Sequence, residues 1–250
     1  MKVIFHPKFH TSYTHDPAAA SGRTEAITQA LEGVFPVVEP EPAVDGDLEL
    51  VHSGTHVARV KTEPGVYDMA RLAAGGAIES ARCAYEGEPS FAVIRPPGHH
   101  ASPDSCWGFC YFNNVAIAVR KLMQEKRIER AWILDFDLHH GDGTENAFRG
   151  SSAVVYQHPE GAGRAELMKA ITRVLQEAED FDILAVSAGF DRHEDDWGGT
   201  LTTEDYRTIG RHVKETALRV CRGRRFGVLE GGYNHAVLGL NVKAFIEGMV

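Results

Sequence analysis

Residues 131–142 read AWILDFDLHHGD, an apolar run that passes directly into a dense group of ionisable side chains. The segment Ala131–Leu138 is predicted to be a strand covered on both faces, because apolar residues dominate it. His139, His140 and Asp142 follow without a break. In open α/β sheets, ligands bind beyond the carboxyl ends of the strands. This stretch therefore predicts a parallel sheet with a functional site at that edge.

The rest of the chain alternates in the same manner between short apolar runs and segments with helical periodicity. The further predicted strands are Lys2–Phe5, Phe35–Val38, Phe91–Ile94, Ala153–Tyr156, Asp182–Ser187 and Phe226–Leu229. The predicted helices are Ser21–Glu32, Val66–Tyr85, Asn114–Glu125, Arg164–Glu177, Thr203–Cys221 and His235–Met249. This alternation predicts an α/β fold, with a parallel sheet flanked by helices. We expect residues 1–250 to form a single domain.

Composition narrows the classes of function. The chain has 250 residues, is 43% hydrophobic and carries a formal net charge of −9. The lack of an extended basic stretch argues against nucleic acid as a partner, and no apolar run is long enough to span a membrane. The start of the chain lacks a signal-peptide pattern, so we expect a cytoplasmic protein. The four cysteines form no Cys-x-x-Cys pair, which argues against a cysteine zinc module.

The acidic and histidine residues of the 131–142 stretch predict a metal site. Alternation along a strand places Asp135, Asp137 and His139 on one face. Asp191, which follows another apolar strand, can supply a third ligand beside Asp137 and His139. Two carboxylates and one imidazole leave a coordination position open, as catalytic zinc sites do. An Asp-x-Asp pair can also be a simple cap, but this density of ionisable groups resists burial unless the groups are paired or metal-bound.

The segment RPPGHHA at 95–101 predicts a rigid loop that carries two imidazoles. Beside a metal, His99 and His100 can supply a general base and a general acid. Each needs a partner that fixes its tautomer, and Asp135 and Asp142 are the spare carboxylates of the metal segment. The alternative is a surface turn with two exposed histidines.

The segment EGGYN at 230–234 predicts a close approach of the backbone to the same region. Gly231 and Gly232 follow the strand Phe226–Leu229, and glycine lets a backbone come near a ligand. The phenol of Tyr233 can then donate a hydrogen bond to a developing oxyanion. A tyrosine packed on a turn is an equally good interpretation of this segment alone.

Together these segments resemble the histone deacetylase superfamily, which includes the acetylpolyamine amidohydrolases and bacterial acetoin-utilisation-type proteins. The chain is similar to a short prokaryotic member. The matching stretches occur in the family's order: RPPGHHA at 95–101, GFCYFNNVAIA at 108–118, DFDLHHGDGT at 135–144, SAGFD at 187–191 and EGGYN at 230–234. The resemblance implies the arginase–deacetylase fold, in which a parallel sheet of about eight strands lies between helices.

The resemblance also implies a zinc-dependent amidohydrolase that removes acetyl groups from lysine side chains or related amines. It assigns one Zn²⁺ ion to Asp137, His139 and Asp191. It implies that His100, paired with Asp142, is the general base and acid. The other catalytic residues are then the His99–Asp135 pair and the carbonyl-polarising Tyr233. The implied substrate channel is lined by Gly108, Phe109, Trp197, Gly231 and Gly232.

The chain departs from the family pattern at several places. The stretch 153–182 is short, and no acidic rim residue is matched before Val66. The family commonly has a small serine near position 156 that helps to bind a monovalent cation, but this chain has Tyr156, so K⁺ is an open possibility. Trp197 stands at a rim position and does not favour a polyamine.

Other interpretations remain open. The same chemistry could act on an acetylpolyamine or another small amide. An arginase-type enzyme with two manganese ions shares the implied fold but needs further ligands. A non-catalytic acyl-amine-binding module is the third alternative. His52 and His56 are spaced as helix metal ligands can be, and we expect them to be structural.

Overall fold

The sheet has seven strands, all parallel, in the order β2-β1-β3-β7-β6-β4-β5. A computed structural model describes residues 1–250. The predicted parallel sheet is confirmed, with seven strands where the resemblance implied about eight. The strands are β1 Lys2–Ile4, β2 Val37–Val38, β3 Ser90–Ala92, β4 Ala131–Asp135, β5 Val154–Gln157, β6 Ile183–Ala188 and β7 Arg225–Leu229.

The helices pack in two groups, with α1 and α8 against α9 and with α4 against α5. The long predicted helices are present, with small shifts at their ends. Three short helices, α2, α3 and α6, were not predicted, because they span too few residues to show a helical period. None of the helices combines the length and the apolar character that a membrane-spanning helix requires. The helices are α1 Arg23–Leu31, α2 Asp45–Leu48, α3 Gly54–Val60, α4 Pro64–Tyr85, α5 Asn114–Gln124, α6 Asp142–Ala147, α7 Arg164–Glu177, α8 Thr203–Val220 and α9 His235–Met249.

The carboxyl ends of the central strands are aligned, so the loops that follow them start from the same edge of the sheet. Strands β3, β4, β6 and β7 are buried throughout. In register, Asp135 lies beside Ser187 and Ala188 lies beside Leu229. Three strands therefore end together, and the loops 136–141, 189–202 and 230–234 start from the same edge. This placement matches the general position of ligand sites in parallel α/β sheets.

Strand β4 ends earlier than predicted, which corrects the argument from alternation. It stops at Asp135, so Asp137 and His139 lie in the loop beyond it. The cause is local hydrogen bonding. The backbone N–H of Asp137 donates to Asp135 Oδ1 at 3.0 Å, and that of His139 donates to Asp137 Oδ1 at 2.9 Å. Carboxylates of the chain itself replace a neighbouring strand as acceptors, and aspartate is well suited to this.

Candidate active site

Three candidate metal ligands meet at the carboxyl edge of the sheet. The ligand atoms of Asp137, His139 and Asp191 all lie within 4.8 Å of one another. His139 Nδ1 is 3.3 Å from Asp137 Oδ1 and 3.2 Å from Asp191 Oδ2. Glycine is required around them, because a Cβ on Gly189 or Gly231 would lie 2.0 or 2.6 Å from Asp137 Oδ2. The backbone thus closes tightly around the two carboxylates.

The electrostatics of this cluster fit a divalent cation. Both aspartates are buried, and burial together with the charge of Asp137 raises the pKa of Asp191 to about 6. The adjacent carboxylates, first that of Asp137 and then that of Asp191, raise the pKa of His139 to about 10. Asp191 Oδ2 is buried and accepts no well-directed hydrogen bond. Two carboxylates and an imidazole with a free buried oxygen form a donor set that suits zinc, since buried charges require a counter-charge.

The first histidine–carboxylate pair is fully enclosed. His99 Nδ1 lies 3.0 Å from Asp135 Oδ2, and both side chains are buried. Burial lowers the pKa of His99, but the charges of Asp137 and Asp135 outweigh it and hold this pKa well above its ordinary value. Glu230 holds the loop that carries His99, because its Oε2 accepts hydrogen bonds from the N–H groups of Gly98 and His99, at 2.6 and 3.2 Å. Glu230 was not predicted to have a site role.

The second pair lies nearer the solvent. His100 Nδ1 is 2.7 Å from Asp142 Oδ1, and the Asp142 side chain is 39% exposed. Burial, followed by repulsion from His99, lowers the pKa of His100 to about 4. His100 is therefore neutral at neutral pH. With its Nδ1 hydrogen directed at Asp142, its Nε2 is available to accept a proton.

Trp107 contacts both members of the second pair. Its indole Nε1 donates to Asp142 Oδ2 at 3.0 Å and to Oδ1 at 3.2 Å. Its ring lies 3.9 Å from the His100 ring, centroid to centroid, at an interplanar angle of 32°. Sequence reasoning did not include Trp107 among the site residues. The available signal was a large apolar side chain in an otherwise polar loop, directly before the matching stretch GFCYFNNVAIA.

Tyr233 lies on another wall, held by its neighbours. Its ring stacks on Trp197 at 4.0 Å and 23°, and it meets Phe109 edge-on at 6.1 Å. The N–H groups of Tyr233 and Asn234 both donate to Asp196 Oδ2 at 2.8 Å. Burial and the nearby Asp137 charge raise the pKa of Tyr233 well above its ordinary value. The phenol therefore stays protonated and can donate a hydrogen bond.

A buried arginine supports the Tyr233 loop from the amino-terminal part of the chain. Arg23 Nε donates to the carbonyl of Gly232 at 2.8 Å, and its Nη2 donates to that of Glu230 at 2.5 Å. Its guanidinium carbon lies 5.5 Å from the centre of the Tyr233 ring. Neither Arg23 nor Asp196 was predicted. Both act on a loop distant in sequence, and no local pattern reveals such a contact.

A cavity of about 310 Å³ joins these groups. Most of the predicted channel residues line it, but Gly232 does not. Gly232 has φ +117°, and a Cβ there would lie 2.7 Å from Leu238, so it serves a tight buried turn. A larger cavity of about 610 Å³, next to Arg130 and Arg224, lies at the opposite edge of the sheet, away from these groups. The smaller cavity is lined by Pro97, His99, His100, Trp107, Gly108, Phe109, His139, Trp197, Gly231 and Tyr233.

Side-chain donors bond to oxygens around the ligand loop, in the region where the resemblance suggested a monovalent cation. Arg192 is buried, and its Nε donates to the carbonyls of Asp137 and Phe136 at 3.0 and 3.2 Å. The Tyr156 hydroxyl donates to Asp135 Oδ2 at 2.9 Å and accepts from the N–H of Gly141 at 2.9 Å. The oxygens of the ligand loop are thus bonded to a guanidinium and a phenol. This donor set does not fit K⁺.

The comparisons with known proteins show the family of this chain. The histone deacetylase domain model matches residues 61–158 and 154–249. A probable deacetylase of Methanothermobacter thermautotrophicus is 32% identical over 99% of this chain and 90% of that protein. The acetylpolyamine amidohydrolase of Mycoplana ramosa is 29% identical over 92% of this chain and 76% of that protein. The chain therefore belongs to the histone deacetylase family.

A solved structure confirms the fold, and one alignment shows a difference in length. The crystal structure of the HDA15 HD domain matches with a TM-score of 0.87 over 98% of this chain and 88% of that one, at 24% identity. The alignment with the Methanothermobacter protein runs over 303 positions, against 250 residues here. That relative thus carries insertions relative to this chain.

Proposed function

We propose that this protein is a zinc-dependent deacetylase that hydrolyses the acetyl amide of a lysine side chain or a related amine. One observation carries the proposal. His139 of the ligand triad, the neutral His100, which pairs with Asp142, and the protonated Tyr233 all line one cavity. The deacetylases and amidohydrolases among the relatives support the same reaction.

Asp137, His139 and Asp191 would hold the zinc ion. When bound, the metal supplies Lewis-acid polarisation of the substrate carbonyl and acidifies water. His100 accepts a proton from the attacking water at Nε2, and Asp142 stabilises the imidazolium that results. Tyr233 donates a hydrogen bond to the carbonyl oxygen as negative charge develops there. The C–N bond then breaks, and His100 delivers its proton to the departing amine, giving acetate and the free amine.

The walls of the cavity suit an extended aliphatic side chain. Trp107, Phe109 and Trp197 offer aromatic faces along it, and apolar contact with these rings accommodates a methylene chain. Trp197 narrows the mouth with 53% of its surface exposed. An acetyl-lysine side chain, entering end-on, satisfies these features. An acetylated polyamine is the second candidate, because the formal net charge of −9 favours cationic substrates and a relative bears that activity in its name.

The test is hydrolysis of a fluorogenic acetyl-lysine peptide by the zinc-loaded protein, with free amine measured in parallel on acetylated polyamines. We expect one zinc ion per chain and turnover of the peptide. Asp191→Ala is expected to lose both zinc and turnover. Tyr233→Phe is expected to keep zinc and lose about a hundredfold or more in kcat, as when one oxyanion donor is removed. Zinc-loaded protein that cleaves neither substrate class would refute the proposal.

The hydrogen bonds of Arg192 also bear on K⁺, the second cofactor considered from the sequence. We propose that Arg192 supplies the positive charge that an inorganic monovalent cation would otherwise bring to the ligand loop. The guanidinium donates to consecutive carbonyls, those of Phe136 and Asp137, directly beneath the metal ligands. The protein is accordingly proposed to need zinc and no K⁺.

A further inference from the structure

We propose that Trp107 is a positioning residue that holds the His100–Asp142 pair in its reactive arrangement. This inference rests on the proposed function of that pair. Trp107 has one polar atom, Nε1, and this atom donates to both carboxylate oxygens of Asp142. Its ring covers the His100 imidazole at 3.9 Å. One side chain thereby fixes the carboxylate and shields the base.

Asp142 has few other side-chain contacts to define its position. The side-chain hydrogen bonds that it accepts come from His100 and Trp107 alone. Asp135, the equivalent residue of the other pair, is fully buried and accepts from His99, from the Tyr156 hydroxyl and from the backbone of Asp137. A half-exposed carboxylate with one histidine partner can rotate away into water. Besides His100, the indole N–H is the side-chain donor that restrains it.

The backbone after Trp107 shows how the indole is placed. Gly108 and Phe109 both have positive φ values, 58° and 65°, which is unusual for a residue such as phenylalanine. A Cβ on Gly108 would lie 2.5 Å from the His100 ring, so this turn runs directly over the imidazole. Two successive left-handed residues turn the chain sharply beside the cavity. Trp107 and Phe109 are thus both brought to its wall.

A residue that only lined the cavity would differ from a positioning residue in its contacts and in its effect on the kinetics. Trp107 is 55% exposed and Trp197 is 53% exposed, and both lie at the mouth. Of the two, only Trp107 uses its indole N–H, because the hydrogen bond at Trp197 comes from its backbone. A wall residue changes substrate binding and hence KM. A residue that positions the general base changes kcat, because it acts on the proton transfer.

The kinetic test is a double-mutant cycle. Trp107→Phe keeps an aromatic ring over His100 and removes the N–H donor. We expect it to lower kcat about tenfold with KM nearly unchanged, as the loss of a hydrogen bond to a charged group predicts. In the Asp142→Ala background the same change should lower kcat by less than about twofold, because the two residues act as one unit. Trp197→Phe is the matched aromatic variant, for which the change should fall on KM.

A spectroscopic test does not depend on activity. The chain has three tryptophans, so a ¹⁵N-labelled sample gives a simple set of indole N–H signals. The signal that disappears in Trp107→Phe identifies Trp107. We expect this signal to lie downfield and to exchange slowly with water, and Asp142→Ala should shift it and speed its exchange. Zinc content and melting temperature confirm that each variant is folded.

The outcomes separate this inference from the function on which it rests. An unchanged Trp107 indole signal in Asp142→Ala would refute the positioning role whatever the enzyme does. Equal losses of kcat from Trp107→Phe in the wild-type and Asp142→Ala backgrounds would also refute it, as would an effect on KM alone. The Trp107 indole signal could instead respond to Asp142→Ala in a protein that hydrolyses no acetylated amine. That result would refute the proposed function, while the contact between Trp107 and Asp142 would stand.

Discussion

The two histidine–carboxylate pairs are adjacent in sequence and alike in chemistry, yet their surroundings differ. His99 and Asp135 are buried and form part of a network that includes Tyr156. His100 pairs with the half-exposed Asp142 under the ring of Trp107. The environments push the two imidazoles in opposite directions, with the pKa of His99 well above and that of His100 well below the ordinary value. The surroundings therefore distinguish two imidazoles that the repeated His-His sequence leaves equal, and they favour the proposed role of His100 as the general base.

The largest effect should come from removing the two histidines in turn. His100→Ala is expected to lower kcat by about a thousandfold while zinc stays bound, because a general base contributes on that order. His99→Ala should cost less turnover and more stability, since it leaves Asp135 buried without its main partner. Steady-state kinetics and metal analysis of both variants measure this. A greater loss of kcat in His99→Ala would reverse the assignment.

For the two carboxylates, the larger loss of stability should come from the buried Asp135 and the smaller loss from the half-exposed Asp142. Asp135→Asn is expected to lower the free energy of unfolding by about 3 kcal/mol, as when a buried ion pair is broken. Asp142→Asn should cost less than about 1 kcal/mol, because solvent screens the exposed pair. Urea unfolding of the zinc-loaded variants provides the comparison. Equal losses of unfolding free energy in the two variants would show that the greater exposure of Asp142 does not make its pair weaker.

Tyr156→Phe provides a smaller and more local change. It removes the hydroxyl that donates to Asp135 and accepts from Gly141. We expect a loss of about 1–2 kcal/mol in the free energy of unfolding, because a buried acceptor and a buried N–H both lose a partner. The double variant Tyr156→Phe with Asp142→Asn should show additive losses, as independent sites do. Strong non-additivity would mean that the two pairs form one network.

The smallest effect should follow from the choice of monovalent salt. If Arg192 supplies the internal charge, replacing KCl by NaCl at constant ionic strength should leave kcat and the melting temperature unchanged. Arg192→Ala, which frees the carbonyls of Phe136 and Asp137, should lower the melting temperature and make it sensitive to potassium. A wild-type protein stabilised by K⁺ over Na⁺ would contradict the proposal.

Much of this arrangement could be predicted because its signals are local. Continuous apolar runs predicted the strands, and polar residues directly after them predicted which edge carries the site. Asp137, His139 and Asp191 could be proposed as ligands because each follows a strand within a few residues. The same reasoning placed β4 three residues too far, since Phe136 and Leu138 continue the apolar pattern while the carboxylates of Asp135 and Asp137 already turn the chain.

The supporting residues could not be predicted because their contacts join distant parts of the chain. Arg23 bonds to carbonyls more than two hundred residues away. Asp196 holds the amides of the Tyr233 loop through a side chain that no periodicity distinguishes from a surface acid. Arg192 follows a predicted ligand and still gave no signal, since an arginine in a polar loop is usually exposed. Tertiary geometry alone reveals these roles.

The buried guanidinium of Arg192, bonded to the carbonyls of Phe136 and Asp137, differs from a bound ion in how it would respond to the surrounding salt. A bound inorganic ion has a dissociation constant, so the fraction of protein carrying it follows the salt concentration outside. A charge attached to the chain has no such equilibrium, because it cannot dissociate into the surrounding solution. If Arg192 takes the place of such an ion, the shape of the loop that carries the candidate metal ligands would be set once, when the chain folds, and would not follow the ionic composition outside.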